Sequence, residues 1–216
     1  MTPMKNYLWL LAVLVLCAAG AFVLNRKSTA PVHNGTRFLV KLLPADGKPI
    51  NSSARLEAIR VWQKRLPESR IEALPDSPDR VSIETAAPQA ARLIKARGQL
   101  EFKHESVKLV VDSQMLVHAV AAKGYGEMWE VQFELNDEGA RAFADLTKRL
   151  VGKKLGIYVD GKLLSEPTVQ TPITGGHGVI TGLRGEGATS AQAESEQLAR
   201  LLNNGTLPAD VELKID

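Results

Sequence analysis

Apolar residues are distributed along this chain in two ways. From Tyr7 to Leu24 they form an 18-residue run with no charge and no proline. Beyond it they recur in short periodic stretches. A helix needs about 20 apolar residues to span a bilayer, so the pattern predicts one N-terminal transmembrane helix over 7–24, within an anchor segment 1–27. Tyr7 and Trp9 stand near one end, where interfacial aromatics are favoured. Three readings of this segment stay open: an uncleaved signal anchor, a signal peptide cut near Ala19-Gly20-Ala21, and a lipoprotein signal with Cys17 as the lipid site. Lys5 with the amino terminus balances Arg26 with Lys27, so flanking charge does not set the orientation.

Residues 28–35 are small, polar and turn-rich, as in a tether. Thr36 to Leu43 alternates as a strand and ends at Pro44. Ser52 or Ser53 is placed to cap a helix reaching about Leu66, with Leu56, Ile59 and Leu66 on its apolar face and Pro67 as its stop. Ser69–Leu74 and Arg80–Glu84 read as two strands. Pro88 fits the first turn of a short helix that turns Leu93 and Ile94 inward and stops at Gly98. Gln99–Lys103 is a further strand. The resulting order, strand–helix–strand–strand–helix–strand, is that of a split β-α-β, ferredoxin-like unit.

From His104 the pattern restarts. Val107–Val111 predicts a strand and Gly124-Tyr125-Gly126 a turn. Trp129, Val131, Phe133 and Leu135 fall on one face of an alternating strand. Asn136 then caps the clearest helix, with Asp137 and Glu138 at its positive end and Lys148 and Arg149 at its negative end. Ala140, Phe143, Leu146 and Leu150 form its stripe. Lys154–Asp160 reads as a strand entering an Asp160-Gly161 hairpin turn, and Val179–Thr181 as a short strand. Thr189 with Gln192 makes a capping box for a last helix carrying Leu198, Leu201 and Leu202, ended by Gly205. Val211–Ile215 closes the chain as a strand. The fold class is therefore α+β.

Charge alters little in this picture. Lys5, Arg26 and Lys27 account for the whole net charge of +3; the other 24 basic residues meet 24 acidic ones. A nucleic-acid reader carries a basic surplus, so no nucleic-acid partner is expected. The one cysteine lies in the apolar run, which leaves the rest without a disulfide or a thiolate metal site. His33, His104, His118 and His177 are distant in sequence, and none has the i, i+4 spacing of paired ligands on a helix. A surface or hydrogen-bonded role is preferred for each, and no metal or cofactor is expected. Thr174-Gly175-Gly176-His177-Gly178 lacks the Lys-Ser/Thr of a phosphate loop, so a glycine turn is the better reading. No G-x-S-x-G elbow is present, and paired acids such as Asp137-Glu138 are explained as solvated helix positions. Residue chemistry points to no active site and to no enzyme.

Five ordered elements over about 80 residues (Val131–Thr147, Val151–Gly161, Ser165–Val169, Pro172–Gly176 with Ile180–Gly182, and Leu198–Pro208) together resemble the SecD family of bacterial protein-export subunits. Val131 to Thr147 matches that family's alternating strand and following helix, with Gly139, Phe143 and Thr147 at the motif positions. Val151 to Gly161 is similar to its next segment through Gly152, Asp160 and Gly161. Ser165 to Val169 carries Pro167. Pro172–Gly176 with Ile180–Gly182 carries Gly175, Gly176 and Gly182. Leu198 to Pro208 carries Gly205, Leu207 and Pro208.

The resemblance implies a ferredoxin-like base (36–103 and 206–216) with an inserted α+β head subdomain (104–205), held periplasmic at the inner membrane by a single-pass anchor. It implies unfolded or translocating polypeptide and Sec translocon subunits as partners. SecD itself continues into further membrane helices that serve proton-driven export, whereas this sequence has no second long apolar run. The expectation is a SecD-like accessory of Sec-dependent export that binds polypeptide without its own motor. The alternative is a repurposed SecD-type interaction module in another envelope complex.

Overall fold

The computed structural model describes residues 35–44, 49–105, 107–112, 114–183 and 188–216. The anchor at 7–24, its cleavage and lipidation alternatives, and the tether up to residue 34 lie outside the described residues. Among those described, no helix is long and apolar enough to cross a membrane.

Strand β1 (Thr36–Leu42) buries every second residue, Phe38, Val40 and Leu42. Helix α1 (Ser52–Arg65) is capped by Asn51, whose side chain accepts from Ala54 N at 2.9 Å. The cap is thus one residue earlier than Ser52 and two earlier than Ser53, the expected caps. The buried face of α1 is the expected one only in part: Leu66 is buried and Ile59 packs partly buried against the same core, but Leu56 does not. Ala58, Val61, Trp62 and Arg65 point inward, and Leu56 is 47% exposed. The indole of Trp62 decides this: it is fully buried and donates to the Ile94 carbonyl at 3.1 Å. That bond satisfies its one polar atom while the ring fills the core.

Strands β2 (Arg70–Ala73) and β3 (Arg80–Thr85) form the expected antiparallel pair. Helix α2 (Ala90–Lys95) starts after Gln89, which is left-handed at φ 60°. Pro88 therefore precedes the helix cap and is not in the first turn. Ile94 is fully buried and Leu93 partly so.

The strand at Leu100–His104 (β4) does not complete this unit. It pairs with β5 (Val107–Val111) and β8 (Gly156–Val159) in a separate sheet. The last strand, β11 (Val211–Ile215), lies beside β1 instead, with Val40 opposite Leu213 and Leu42 opposite Val211. The first sheet runs β11-β1-β3-β2, all antiparallel, which is the split β-α-β order with its fourth strand drawn from the end of the chain. Packing explains the exchange. Leu207 and Ala209 are fully buried in the first core beside Trp62 and Ile94, which brings β11 to the open edge of β1. Leu100 and Phe102 belong to the other core.

That second core lies between two further sheets. One is β5-β4-β8-β9, with β9 spanning Lys162–Ser165. The other is β10-β7-β6, formed by β6 (Leu116–Lys123), β7 (Trp129–Leu135) and β10 (His177–Ile180). Helices α3 (Asp137–Arg149) and α4 (Ala188–Asn203) complete the unit. Phe102, Phe133 and Phe143 meet at its centre with ring centroids 4.7 to 6.0 Å apart, surrounded by aliphatic side chains. Asn136 caps α3 as the sequence predicts, accepting from Gly139 N at 2.9 Å.

Three details depart from expectation. Strand β6 has no counterpart in the sequence pattern, because Leu116-Val117-His118-Ala119 does not alternate cleanly. Helix α4 already includes Thr189, so the Thr189/Gln192 capping box does not start it; the residues before Ala188 lie outside those described. Strand β8 is also shorter than Lys154–Asp160.

Candidate functional site

The chain passes between the two cores at two segments, 96–99 and 204–207, and these run side by side. Leu207 N donates to the Arg97 carbonyl at 2.8 Å, and Thr206 Oγ1 donates to the Gly98 carbonyl at 3.1 Å. Arg65 reaches both from α1. Its guanidinium donates to the carbonyls of Leu93, Ala96, Arg97 and Gly205, the last at 2.7 Å. Burial pushes the Arg65 guanidinium down to about 10, and the charge of Asp160 opposes that shift. No sequence motif singles out Arg65, although its i+3 spacing from Trp62 places it on the inward stripe.

The motif positions do not converge on one point; they occupy bends and close approaches. Thr147 is fully buried on α3, donates to the Phe143 carbonyl at 2.8 Å and accepts from Ile173 N at 2.9 Å. It thereby fastens α3 to the loop before β10. Gly139 lies under Leu135 and Met115, where a Cβ would come within 3.0 Å. Gly176, at φ +70°, faces Ala140, and its carbonyl accepts from Leu135 N at 2.9 Å. Gly175 precedes it in the same turn. Gly152 (φ +79°) follows α3, and Asp160 (φ 50°) with Gly161 (φ +76°) forms the β8–β9 turn. Asp160 also ties that turn to a crossing segment, since its Oδ1 accepts from Gln99 N at 2.8 Å. Pro167 offers its carbonyl to Leu155 N at 2.8 Å. Gly182 passes over the Leu164 carbonyl. Gly205, Leu207 and Pro208 form the return segment.

Beside the crossing is a cleft of ≈ 210 Å³. Leu93 of α2, Leu164 of β9, and Leu198 and Leu201 of α4 supply its apolar wall. Arg92, Asp160, Lys162 and Glu194 supply charges of both signs around it. Of the motif positions, Asp160 alone lines this cleft. No group of metal-type side chains among the described residues stands close enough to hold an ion as it lies. The arrangement suits an apolar side chain with polar backbone on either side.

Residues 91–209, more than half of the chain, match the family model described as SecDF, P1 head subdomain. The chain belongs to the SecDF P1 head family. The match begins inside α2, so the P1 head sequence pattern includes the first crossing segment and, ending at 209, the second. Protein translocase subunit SecD of Acidaminococcus fermentans is 33% identical over 172 residues, which is 78% of this chain and 39% of the relative. SecD of Dictyoglomus turgidum is 30% identical over 189 residues, 84% of this chain and 46% of the relative. SecD of Leptotrichia buccalis is 29% identical over 222 residues, 97% of this chain and 52% of the relative. The chain spans about half or less of the length of these SecD proteins. A solved structure of SecDF, called a membrane component that enhances protein export, matches at TM-score 0.68 and 22% identity, covering 82% of this chain and 97% of the other. SecDF in a super-membrane-facing form also matches at 0.68, with 20% identity, covering 96% of this chain and 34% of the other. The mixed α/β fold with several antiparallel sheets is that of the SecDF P1 region.

On the outer surface of the β5-β4-β8-β9 sheet, Glu101 is buried between Lys103 and Lys108 and paired to both. Burial acts to raise its pKa, but the two lysines outweigh it and hold the carboxyl below the usual range. The Lys103 ammonium also stands 4.7 Å over the Tyr158 ring. In this cluster one carboxylate is shared by two ammonium groups, which ties β4 to β5.

Proposed function

We propose that this protein takes part in Sec-dependent protein export by binding unfolded or translocating polypeptide in the cleft beside the crossing segments. Residues 7–24 anchor the chain in the bacterial inner membrane, and the described region works on the periplasmic side. In this reading the first sheet with α1 and α2 is the base. The other two sheets with α3 and α4 are the head, and Sec translocon subunits are its neighbours. The thirteen motif positions serve as framework that holds the head in shape.

The cleft carries the reading. Its leucine wall accepts an apolar side chain without demanding a particular sequence, and mixed charges at the rim suit a backbone flanked by varied residues. The motif match supports it independently, because it covers the segments that build the cleft.

A photo-crosslinking residue placed at Leu201 should capture secretory precursors in transit, and one at Glu212, on the outer surface of the first sheet, should not. Leu164→Glu with Leu201→Glu should lower capture from a third cleft position, Leu198, at least fivefold. Equal capture at Leu201 and Glu212 would remove the cleft from the proposal. Unchanged export kinetics after depletion, together with one stable non-Sec partner in a pulldown, would favour the repurposed interaction module.

A further inference from the structure

Two histidines that are 59 positions apart in sequence are brought to one row of the β10-β7-β6 sheet. His118 of β6 lies directly opposite Glu134 of β7, and His177 of β10 lies opposite the same Glu134. One carboxylate is therefore flanked by an imidazole on each side. All three residues are exposed. They share the outer face with Val120, Gln132 and Val179, while Ala119, Val131 and Phe133 fill the core on the inner face.

This juxtaposition depends on two backbone devices. The first is a bulge in β6: Leu116 pairs with Leu135, yet His118 pairs with Glu134, so Val117 is an extra residue. Without it, His118 would lie opposite Phe133 and point into the core, because a one-residue shift reverses every side chain. The second is Gly178, next to His177. Its inner face meets the Phe133 ring so closely that a Cβ would stand 2.4 Å from Cζ. Only glycine lets β10 approach β7 at the register that sets His177 beside Glu134.

We infer that His118, Glu134 and His177 form a binding site for a late first-row divalent metal ion, Zn²⁺, Ni²⁺ or Cu²⁺. Directly opposed side chains on neighbouring strands have Cβ atoms about 4.5–5.5 Å apart, within reach of a shared ion. Two imidazole nitrogens and a carboxylate oxygen are a donor set such ions accept, with water completing the coordination. As they lie, the three side chains are not drawn together around an ion. Among the described residues only His104 stands within 4 Å of a carboxylate, that of Glu105, so His118 and His177 swing inward without breaking such a contact. The ion would clip β6, β7 and β10 together on the face away from the core. This site is independent of the leucine-lined cleft.

The test is metal titration of the untagged full-length chain in detergent with ZnCl₂, followed by CuCl₂ with electron paramagnetic resonance. One ion per chain at micromolar affinity is expected, with a copper signal carrying coupling to two imidazole nitrogens. His118→Asn and His177→Asn should each weaken binding at least tenfold, and Glu134→Gln several-fold. The double variant His33→Asn, His104→Asn should bind as the parent does. His104, His118, Glu134 and His177 belong to neither core, so metal-free melting temperatures of the His118, Glu134 and His177 variants should stay within a degree or two of the parent. Binding weaker than millimolar, or binding that survives His118→Asn and His177→Asn, overturns the assignment.

Discussion

Arg65 Nη2 donates to the Gly205 carbonyl at 2.7 Å across 140 positions of sequence. The same side chain holds the end of α2 and the first crossing segment. A guanidinium suits this task because its planar fork presents several donors at once. Arg65→Met should leave those carbonyls without their donor and lower the stability to urea by at least about 1–3 kcal/mol, the cost of a buried acceptor left unsatisfied. Arg65→Lys should restore only part of that, since an ammonium cannot reach carbonyls spread over two segments. A parent-like urea midpoint for Arg65→Met would show that apolar packing alone holds the crossing.

Thr147 makes a narrower prediction. Thr147→Val keeps the shape but removes the acceptor for Ile173 N. The cost should be about 1–2 kcal/mol, the range for a buried donor left unmade. Hydrogen exchange at the Ile173 amide should accelerate more than at amides elsewhere in the sheet. Thr147→Ser should keep that amide protected.

Two glycines with positive φ separate backbone strain from crowding. Gly152, at φ +79°, has nothing within 4 Å of an added Cβ, whereas Gly176, at φ +70°, would bring one to 2.8 Å from the Ala140 Cβ. Gly152→Ala should cost about 1–2 kcal/mol from the left-handed backbone alone. Gly176→Ala should cost clearly more, because Ala140 belongs to a helix and cannot swing aside. Thermal melts of the two variants compare them directly; equal losses would mean that the β10 turn can shift.

Glu101 predicts a pH dependence. Its folded-state carboxyl is held below the ordinary value of 4.5 by Lys103 and Lys108. The ionised form is thus favoured by folding, so its contribution is complete above about pH 4.5 and is lost as pH falls through the lower folded value. Glu101→Gln should destabilise the protein by about 1 kcal/mol or more at pH 7. The gap between variant and parent should narrow as the pH drops below 4.5. Denaturant midpoints at pH 7 and pH 3 measure it, and a gap that stays constant would mean the lysines do not act on Glu101.

What could be read from the chain follows the range of the forces involved. The strand at 129–135 and the helix at 137–149 were legible because alternation, an Asn cap and terminal charges all act within a few residues. The SecD-type motifs were legible for the same reason, as contiguous runs. Tertiary structure decided the rest. Leu100 and Phe102 suit either core as isolated strand residues, and only the burial of Leu207 and Ala209 gives the edge of β1 to β11 and leaves β4 to the other sheet. Trp62 and Arg65 turned α1 about its axis because a large ring and a many-donor cation outweigh an exposed Leu56. A one-residue bulge at Val117 and a glycine at 178 put His118 and His177 on either side of Glu134. Sequence determined the elements whose causes are local; partners far apart along the chain determined which edges met and which side chains became neighbours.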